Sequence, residues 1–263
     1  MVTAANRLET LKLSYRCYLD QTYPNRELII LNEGPEEYQK QISDLVAGRD
    51  DVRKHFLKAK LGEYTLGGLR NVAVALATGD IWMQWDDDDF NAPERIATQY
   101  SFFARRPHLL ACFLGDQLHY YYDKKEVYWE RWMEFQSGGI KKYGLIPGTI
   151  MACKKEFPFK YPSSGVFARA AEDSVLTTRL CDTKPSQVEV MSDFGYMQIY
   201  SFHGKNVWDV EHHLQISKNR SAFTSFLVKY REQICRTLKY MNFEGEIKVM
   251  GRDGVAFVYR SDQ

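Results

Sequence analysis

Along the first half of the chain the apolar residues switch between two spacings. Leu8, Leu11, Tyr15 and Tyr18 recur at steps of three and four, the stripe of an amphipathic helix. After the turn Tyr23-Pro24-Asn25 the pattern closes up into Leu28-Ile29-Ile30-Leu31, ended by Asn32-Glu33-Gly34-Pro35. Short unbroken apolar runs suit strands of a parallel sheet buried on both faces. A polar helix is predicted from Glu36 to Val46. Gly67-Gly68 then precede a helix carrying Leu69, Val72, Ala73 and Leu76, stopped at Thr78-Gly79, and a strand runs from Ile81 to Trp85. A further strand is expected from Leu109 to Leu114, ended by Gly115-Asp116. Strands alternating with helices of this length imply βαβ units.

The second half is less regular. From His119 to Phe167 it is aromatic and punctuated by Gly and Pro, with one further strand expected between Ile146 and Cys153. A helix opens at Ala171-Glu172-Asp173. The tail predicts a helix from Ala222 to Tyr240, then a hairpin of Glu246–Met250 and Val255–Tyr259 turned by Gly251-Arg252-Asp253-Gly254. No repeat, linker or low-complexity stretch interrupts this order, which reads as one compact domain with a C-terminal appendage.

Composition narrows the class of function. Lys and Arg number 35 against 34 Asp and Glu, a formal net charge of +1. That balance opposes a nucleic-acid binder working through a broad basic face, and a polybasic membrane anchor. No apolar run approaches the ~18 residues of a membrane-spanning helix, so membrane association, if any, is peripheral. The first residues lack the apolar core of a secretory signal. Cysteines 17, 112, 153, 181 and 235 are odd in number, with no Cys-x-x-Cys pair, which excludes a disulfide framework and an ordinary thiolate zinc site. A reducing, cytoplasmic setting is expected.

The strongest chemical feature is Trp85-Asp86-Asp87-Asp88-Asp89-Phe90. Four carboxylates stand where a buried strand leaves its sheet, and open α/β sheets bind ligands beyond the carboxyl ends of their strands. Alternate side chains of an extended chain share a face, which would point Asp86 and Asp88 into one crevice. Two carboxylates ~5 Å apart repel by roughly 3 kcal/mol at an effective dielectric of 20. A hard divalent cation such as Mg²⁺ or Mn²⁺ would compensate, taking oxygen ligands and keeping substrate phosphates in its shell. A solvated acidic turn is the competing reading of the same four residues.

Several segments in order resemble family 2 glycosyltransferases of the GT-A fold, over roughly residues 1–215. Val2-Thr3-Ala4-Ala5-Asn6-Arg7 resembles the end of that family's first strand, of which only Met1 and Val2 precede Thr3 here, as a trimmed or late start would leave it. Gln21-Thr22-Tyr23-Pro24-Asn25 with Glu27-Leu28-Ile29-Ile30 resembles its Q-T-Y-x-N-x-E-I-I element. Arg70-Asn71, with Ala77, Gly79 and Asp80, resembles the R-N…A-x-G-E run, and Asp86–Asp89 fall on D-x-D-D.

The resemblance implies an α/β fold of Rossmann-like GT-A type, a mixed, mostly parallel sheet flanked by helices. It further implies a glycosyltransferase domain over 1–215, with a nucleotide-binding half at 1–115 and an acceptor half at 116–215. The C-terminal helix and hairpin at 216–263 would pack on that domain. The implied activity is metal-dependent, inverting transfer of a sugar, as of a hexosyltransferase, from a nucleotide sugar, with UDP expected, to a saccharide or other hydroxyl acceptor. Bacterial polysaccharide or glycoconjugate synthesis is the expected setting.

By carry-over, Asp88 is the direct ligand of Mn²⁺ or Mg²⁺, and Asp86 supports the donor ribose or the metal. Asp87 and Asp89 are left as supporting or structural. Thr3, Asn6, Arg7, Asn32, Glu33, Arg70 and Asn71 match the nucleotide pocket. Here Asn32-Glu33-Gly34-Pro35 replaces the family's Asp-Asp-Gly-Ser, and Ala4-Ala5 replaces a small-aromatic pair. Arg7 also reads as a surface arginine. Arg70 stands near a helix start, where cations are disfavoured, and would neutralise phosphate or stack on the base.

Acids at a helix N-terminus are common as caps. The resemblance instead makes Asp173 the catalytic base and gives Glu172 an orienting role, with the helix dipole keeping Asp173 ionised. Tyr200–Trp208 resembles the segment after the base helix, making His203 a metal ligand and Lys205 a diphosphate contact. His212 and His213 read mainly as surface residues. The aromatic middle, with Tyr120, Tyr121, Tyr122, Tyr128, Trp129 and Trp132, reads as core packing or as an acceptor surface. The alternatives in function are a catalytically degenerate sugar-nucleotide-binding scaffold and a nucleotidyltransferase, although the Gly-rich basic phosphate loop of the latter is not found.

Overall fold

The computed structural model of the chain describes residues 1–4, 7–58, 63–133, 143–204, 206 and 209–261. In chain order its first half runs α1 (Leu8–Leu19), β1 (Leu28–Asn32), α2 (Glu36–Leu45), β2 (Val52–Phe56), α3 (Leu66–Leu76), β3 (Ile81–Met83), β4 (Phe90–Asn91), α4 (Arg95–Ala104), β5 (Ala111–Leu114), β6 (Asp116–Tyr121) and β7 (Glu126–Arg131). There follow β8 (Met151–Cys153), α5 (Glu172–Thr183), β9 (Val188–Met191), β10 (Gln198–Phe202), α6 (Val210–Arg220), α7 (Thr224–Lys229), α8 (Arg231–Tyr240), β11 (Glu246–Gly251) and β12 (Gly254–Arg260). Contacts group the chain into two units, residues 1–88, 96–113 and 147–189 in one, and 89–95, 114–146 and 190–263 in the other.

In the first unit the continuous apolar run becomes β1, buried at every position and paired in parallel with β2. Its Ile29 and Leu31 pack on Leu69 and Ala73 of α3, with Val72 and Leu76 beside them. The predicted helical stripe and the predicted strand therefore meet face to face, as a βα layer requires. Antiparallel β3-β8-β5 pairing builds a second core of Phe103, Leu109, Cys112 and Met151, covered by Ile96, Tyr100 and Phe102. The strands expected over Ile81–Trp85 and Ile146–Cys153 are shorter than predicted, because pairing ends after the Gln84 N–H donates to the Ile150 carbonyl (3.1 Å) and the partner segment forms a 3₁₀ turn at Pro147–Thr149.

On the edge of β1 opposite β2, residues 1–3 pair in parallel with Leu31. Met1 donates its amine to the Ile29 carbonyl (2.9 Å), Leu31 N–H donates to the Met1 carbonyl (3.0 Å), and Thr3 N–H donates to the Leu31 carbonyl (3.1 Å). Beyond them a cavity of about 530 Å³ is lined by Leu28 and Ile29 on one side and Ile81–Gln84 on the other. A strand-forming extension fused ahead of Met1, such as Val-Thr-Ile-Val-Ile, should fill this space and continue the ladder. Its burial should raise Tm by about 2–6 °C over a Gly-Ser extension of equal length. Equal melting temperatures for the two fusions would show that the cavity does not accept a strand.

The second unit is a six-stranded sheet in the order β12-β11-β7-β6-β10-β4. Here the aromatic middle, unresolved into elements by its pattern, forms the antiparallel hairpin β6–β7. Tyr120, Tyr121 and Trp129 are buried, which gives them the core role, and Trp129 is enclosed by Tyr196, Phe226 and Tyr230. The mixed α/β class is as expected, but its balance differs. Pairings β1–β2, β6–β10 and β7–β11 are parallel, whereas β3–β8, β5–β8, β6–β7, β4–β10 and β11–β12 are antiparallel.

The tail hairpin forms at the predicted residues and is an integral edge of this sheet, through the parallel pairing of β11 with β7. The single helix expected over Ala222–Tyr240 is two, α7 and α8, with the break at Tyr230, whose ring packs 5.0 Å from that of Trp129. His213 is a correction to the surface reading: it is buried, on the inner side of α6, among Tyr200, Phe202 and His119. Burial holds its imidazole neutral and pulls its pKa down to about 4. Beside it Glu130, fully buried, accepts hydrogen bonds from Gln117 Nε2 (2.9 Å) and Ser217 Oγ (2.7 Å) and pairs with His119 Nδ1 (2.8 Å). This buried polar network ties α6 to the sheet through Ser217.

Candidate active site

The acidic segment begins where β3 ends. Trp85 is buried and donates Nε1–H to Ser14 Oγ on α1 (3.0 Å), and that hydroxyl donates to the Asp86 carbonyl (2.7 Å). These two bonds clamp the segment to α1 and set the direction of the carboxylates. Burial then alternates as an extended backbone predicts, with Asp87 and Asp89 buried and Asp86 and Asp88 partly exposed.

Asp86, Asp87, Asp88, Glu172 and Asp173 each lie beside an arginine. Arg7, at the start of α1, places Nη1 at 2.7 Å from Asp88 Oδ2 and 3.1 Å from Asp87 Oδ1. Arg70 of α3 lies 2.9 Å from Asp86 Oδ1 through Nη2 and 3.0 Å from Glu172 Oε1 through Nη1, with Asp173 Oδ2 at 4.0 Å. One guanidinium thus joins the end of β3 to the first turn of α5. Burial opposes its charge, but Asp86 and Glu172 outweigh burial and hold it protonated. The stacking and phosphate roles expected for Arg70 meet a side chain already committed to three acids.

The acids respond to this enclosure. Burial, reinforced by Asp88, pushes the Asp87 carboxyl up to about 6. Burial likewise lifts Glu172 to about 7 against the pull of Arg70. Asp173 is also raised by burial, Arg70 opposing and Asp86 reinforcing the shift. The expectation that the helix dipole keeps Asp173 ionised meets an opposing effect, desolvation, which raises the carboxyl above its ordinary range.

Several residues of this site were missed in the sequence. Gln84 is buried, donates Nε2–H to Asp86 Oδ2 (3.0 Å) and accepts from the Tyr161 hydroxyl (2.9 Å). Gly148 has its Cα against the acids: a Cβ there would stand 3.3 Å from Asp86 Oδ2 and 3.9 Å from Asp173 Oδ2. Those two oxygens face one small space that a side chain at 148 would enter. Gln99, fully buried, holds that turn by donating to the Thr149 carbonyl (2.8 Å). Gly67 packs on the Pro162 carbonyl and Glu172 Cβ, so no side chain fits between α3 and the start of α5. Only the Gly67-Gly68 pair hinted at this close approach.

The other nucleotide-pocket candidates are placed as follows. Asn32 is buried, donates to the Thr3 carbonyl (2.8 Å) and accepts from Gly34 N–H (2.8 Å). The Thr3 hydroxyl pairs with the Tyr38 hydroxyl (2.8 Å). Glu33 is half-buried and accepts from Tyr64 N–H at 3.4 Å. Asn71 ties both the N–H and the carbonyl of Tyr161 (2.9 Å each), holding that segment against α3. Asn6 and Lys205 lie outside the described residues. His203 belongs to the second unit, just after β10, and its backbone N–H donates to Asn206 Oδ1 (3.0 Å).

Among the described residues no three His, Cys, Asp or Glu side chains gather into a protein-only metal cage. Asp86 and Asp88, partly exposed, offer hard oxygen donors of the kind that hard divalent cations take. Mg²⁺ and Mn²⁺ are held by one or two carboxylates together with substrate phosphate oxygens and water. No helix among the described residues is long and apolar enough to cross a membrane.

An acid-bearing strand end thus stands with a second acid pair around Arg70 in this mixed α/β fold, an arrangement similar to that of GT-A glycosyltransferases. The glycosyl transferase family 2 model matches residues 1–173, and the chain belongs to that family. No curated protein gives a significant match. Among solved structures it is similar to residues 1–349 of S. aureus TarS, with a TM-score of 0.54 and 14% identity over 91% of this chain and 78% of that one. It is also similar to a mannosyltransferase from Pyrobaculum calidifontis in complex with GDP-Man and Mn²⁺ (TM-score 0.54, 13% identity, 91% of this chain, 62% of that one). A third is glucosyl-3-phosphoglycerate synthase from Mycobacterium tuberculosis with Mn²⁺ and UDP-glucose (TM-score 0.51, 13% identity, 98% of this chain, 84% of that one).

Proposed function

We propose that the protein transfers a sugar, with inversion and with a divalent cation, from a nucleotide sugar of the UDP type to a hydroxyl acceptor. The observation that carries this reading is the convergence of Asp86 with Glu172 and Asp173 around Arg70 and Gly148. Single in-line displacement needs a base on one side of the sugar and charge stabilisation on the other. Asp86 and Asp88 would hold the Mn²⁺ or Mg²⁺, which supplies Lewis-acid neutralisation of the departing diphosphate.

Asp173 takes the proton of the acceptor hydroxyl as its oxygen bonds to the anomeric carbon, while the bond from that carbon to the phosphate oxygen breaks. Glu172 and Arg70 orient Asp173. Thr3, Asn32, Glu33 and Asn71 shape the nucleotide side, in large part by fixing backbone. A bacterial polysaccharide or glycoconjugate acceptor in the cytoplasm fits this chemistry. The known structures with GDP-Man and UDP-glucose bound support a nucleotide-sugar donor and leave the base to be measured.

The test is release of nucleoside diphosphate from a panel of nucleotide sugars with Mn²⁺, Mg²⁺ or EDTA. Release that requires the cation is expected, together with loss of cation-dependent donor binding in Asp88→Ala. No release with any donor, and no cation-dependent thermal shift, would assign the chain to a sugar-nucleotide-binding scaffold instead.

A further inference from the structure

We infer that Arg7 is a resident counter-ion for the aspartate cluster, one that a divalent cation must displace from Asp88 and that then meets the diphosphate. The inference rests on the proposed reading that Asp88 binds such a cation. Arg7 Nη1 stands at hydrogen-bonding distance from Asp88 Oδ2 (2.7 Å) and also reaches Asp87 Oδ1 (3.1 Å). It donates to an oxygen that Asp88 would offer to a metal. Asp86 is neutralised separately by Arg70, so Arg7 is the counter-charge shared by Asp87 and Asp88.

Two cations cannot share one carboxylate oxygen at contact distance without strong repulsion. Occupation of Asp88 Oδ2 by Mn²⁺ would therefore move the guanidinium off that oxygen, while buried Asp87 keeps a hold on the same Nη1. Arg7 differs from Arg70 in the way this requires. Its side chain is 28% exposed against 13%, and it stands just before α1, whereas Arg70 is anchored by acids from two segments. A planar guanidinium released beside a diphosphate can meet two phosphate oxygens in a fork, a geometry that its single-nitrogen contact with the carboxylates leaves unused. Exchange of this kind couples cation and nucleotide: the cation alone competes with Arg7, whereas the two ligands together give Arg7 a new anionic partner.

The test is calorimetric titration of Mn²⁺ alone, and of UDP with Mn²⁺ present, into wild type, Arg7→Gln and Arg7→Lys. Arg7→Gln should bind Mn²⁺ alone at least about fivefold more tightly than wild type, and UDP in the presence of Mn²⁺ at least about fivefold more weakly. Arg7→Lys should stay within about twofold of wild type for Mn²⁺ alone. Should Arg7→Gln fold poorly, the rise in Tm caused by Mn²⁺ in Arg7→Met gives the same comparison, and it should exceed the wild-type rise. Equal Mn²⁺ affinity in wild type and Arg7→Gln overturns the inference while UDP still binds wild type with Mn²⁺. Failure of wild type to bind UDP with any dependence on Mn²⁺ overturns the underlying reading as well.

Discussion

Asp173→Asn should bind the nucleotide-sugar donor with wild-type affinity and lose transfer by about 10²–10⁴-fold, the contribution of a placed general base. The amide preserves the shape of the carboxylate and cannot accept the acceptor proton. It also removes one negative charge from the cluster around Arg70, so stability should hold or rise slightly. The measurement is single-turnover transfer beside donor titration, once a donor has been found. Turnover near the wild-type rate would move the base elsewhere, and loss of donor binding would make Asp173 a pocket residue. Because burial raises the Asp173 carboxyl, the acid limb of the wild-type rate profile should lie above the ordinary carboxylate range.

Arg70→Met should produce the largest loss of stability of any substitution at the site. Removing one partner from buried ion pairs typically costs about 3–5 kcal/mol, because the remaining charges are left in a poorly solvated place. The loss should depend on pH with a definite sign. Glu172 has a folded pKa of about 7, raised above its ordinary value, so the folded state holds a proton that the unfolded state gives up between these limits. Its contribution therefore becomes unfavourable as pH rises through that window and levels off above it. Without Arg70 the Glu172 and Asp173 carboxyls climb further, and the deficit of Arg70→Met in urea unfolding should be larger at pH 8 than at pH 5. A deficit that is small and equal at both values would show that Arg70 is not the counter-charge of these acids.

Both expectations concern residues whose types were legible and whose partnership was not. The run Asp86–Asp89, the pair Glu172-Asp173 and the pair Arg70-Asn71 stand out because charge at an element boundary is unusual and local. That Arg70 would face Glu172 was invisible, since the two lie about a hundred positions apart and meet only when α3 packs on the start of α5. Gln84, Gly148 and Tyr161 carry no signal in a single sequence: an amide, a glycine and a tyrosine are common everywhere, and only their position beside Asp86 gives them meaning. His213 was misread for a related reason, as a polar helix with a weak apolar stripe does not announce which face the sheet will cover.

What the chain's own order of residues determined is the local and periodic part: the α1 stripe, the buried run of β1, the α3 helix, the acidic strand end, the tail hairpin and the family signature built from them. These depend on neighbours within a few positions, where spacing and propensity act directly. Tertiary packing decided the rest. It set the antiparallel character of most of the sheet pairings, the break between α7 and α8, the entry of the C-terminal hairpin into a sheet edge, and the partner of every site carboxylate. Each of these is a contact between distant segments, and its energy arises from burial and charge that exist only once the segments have met.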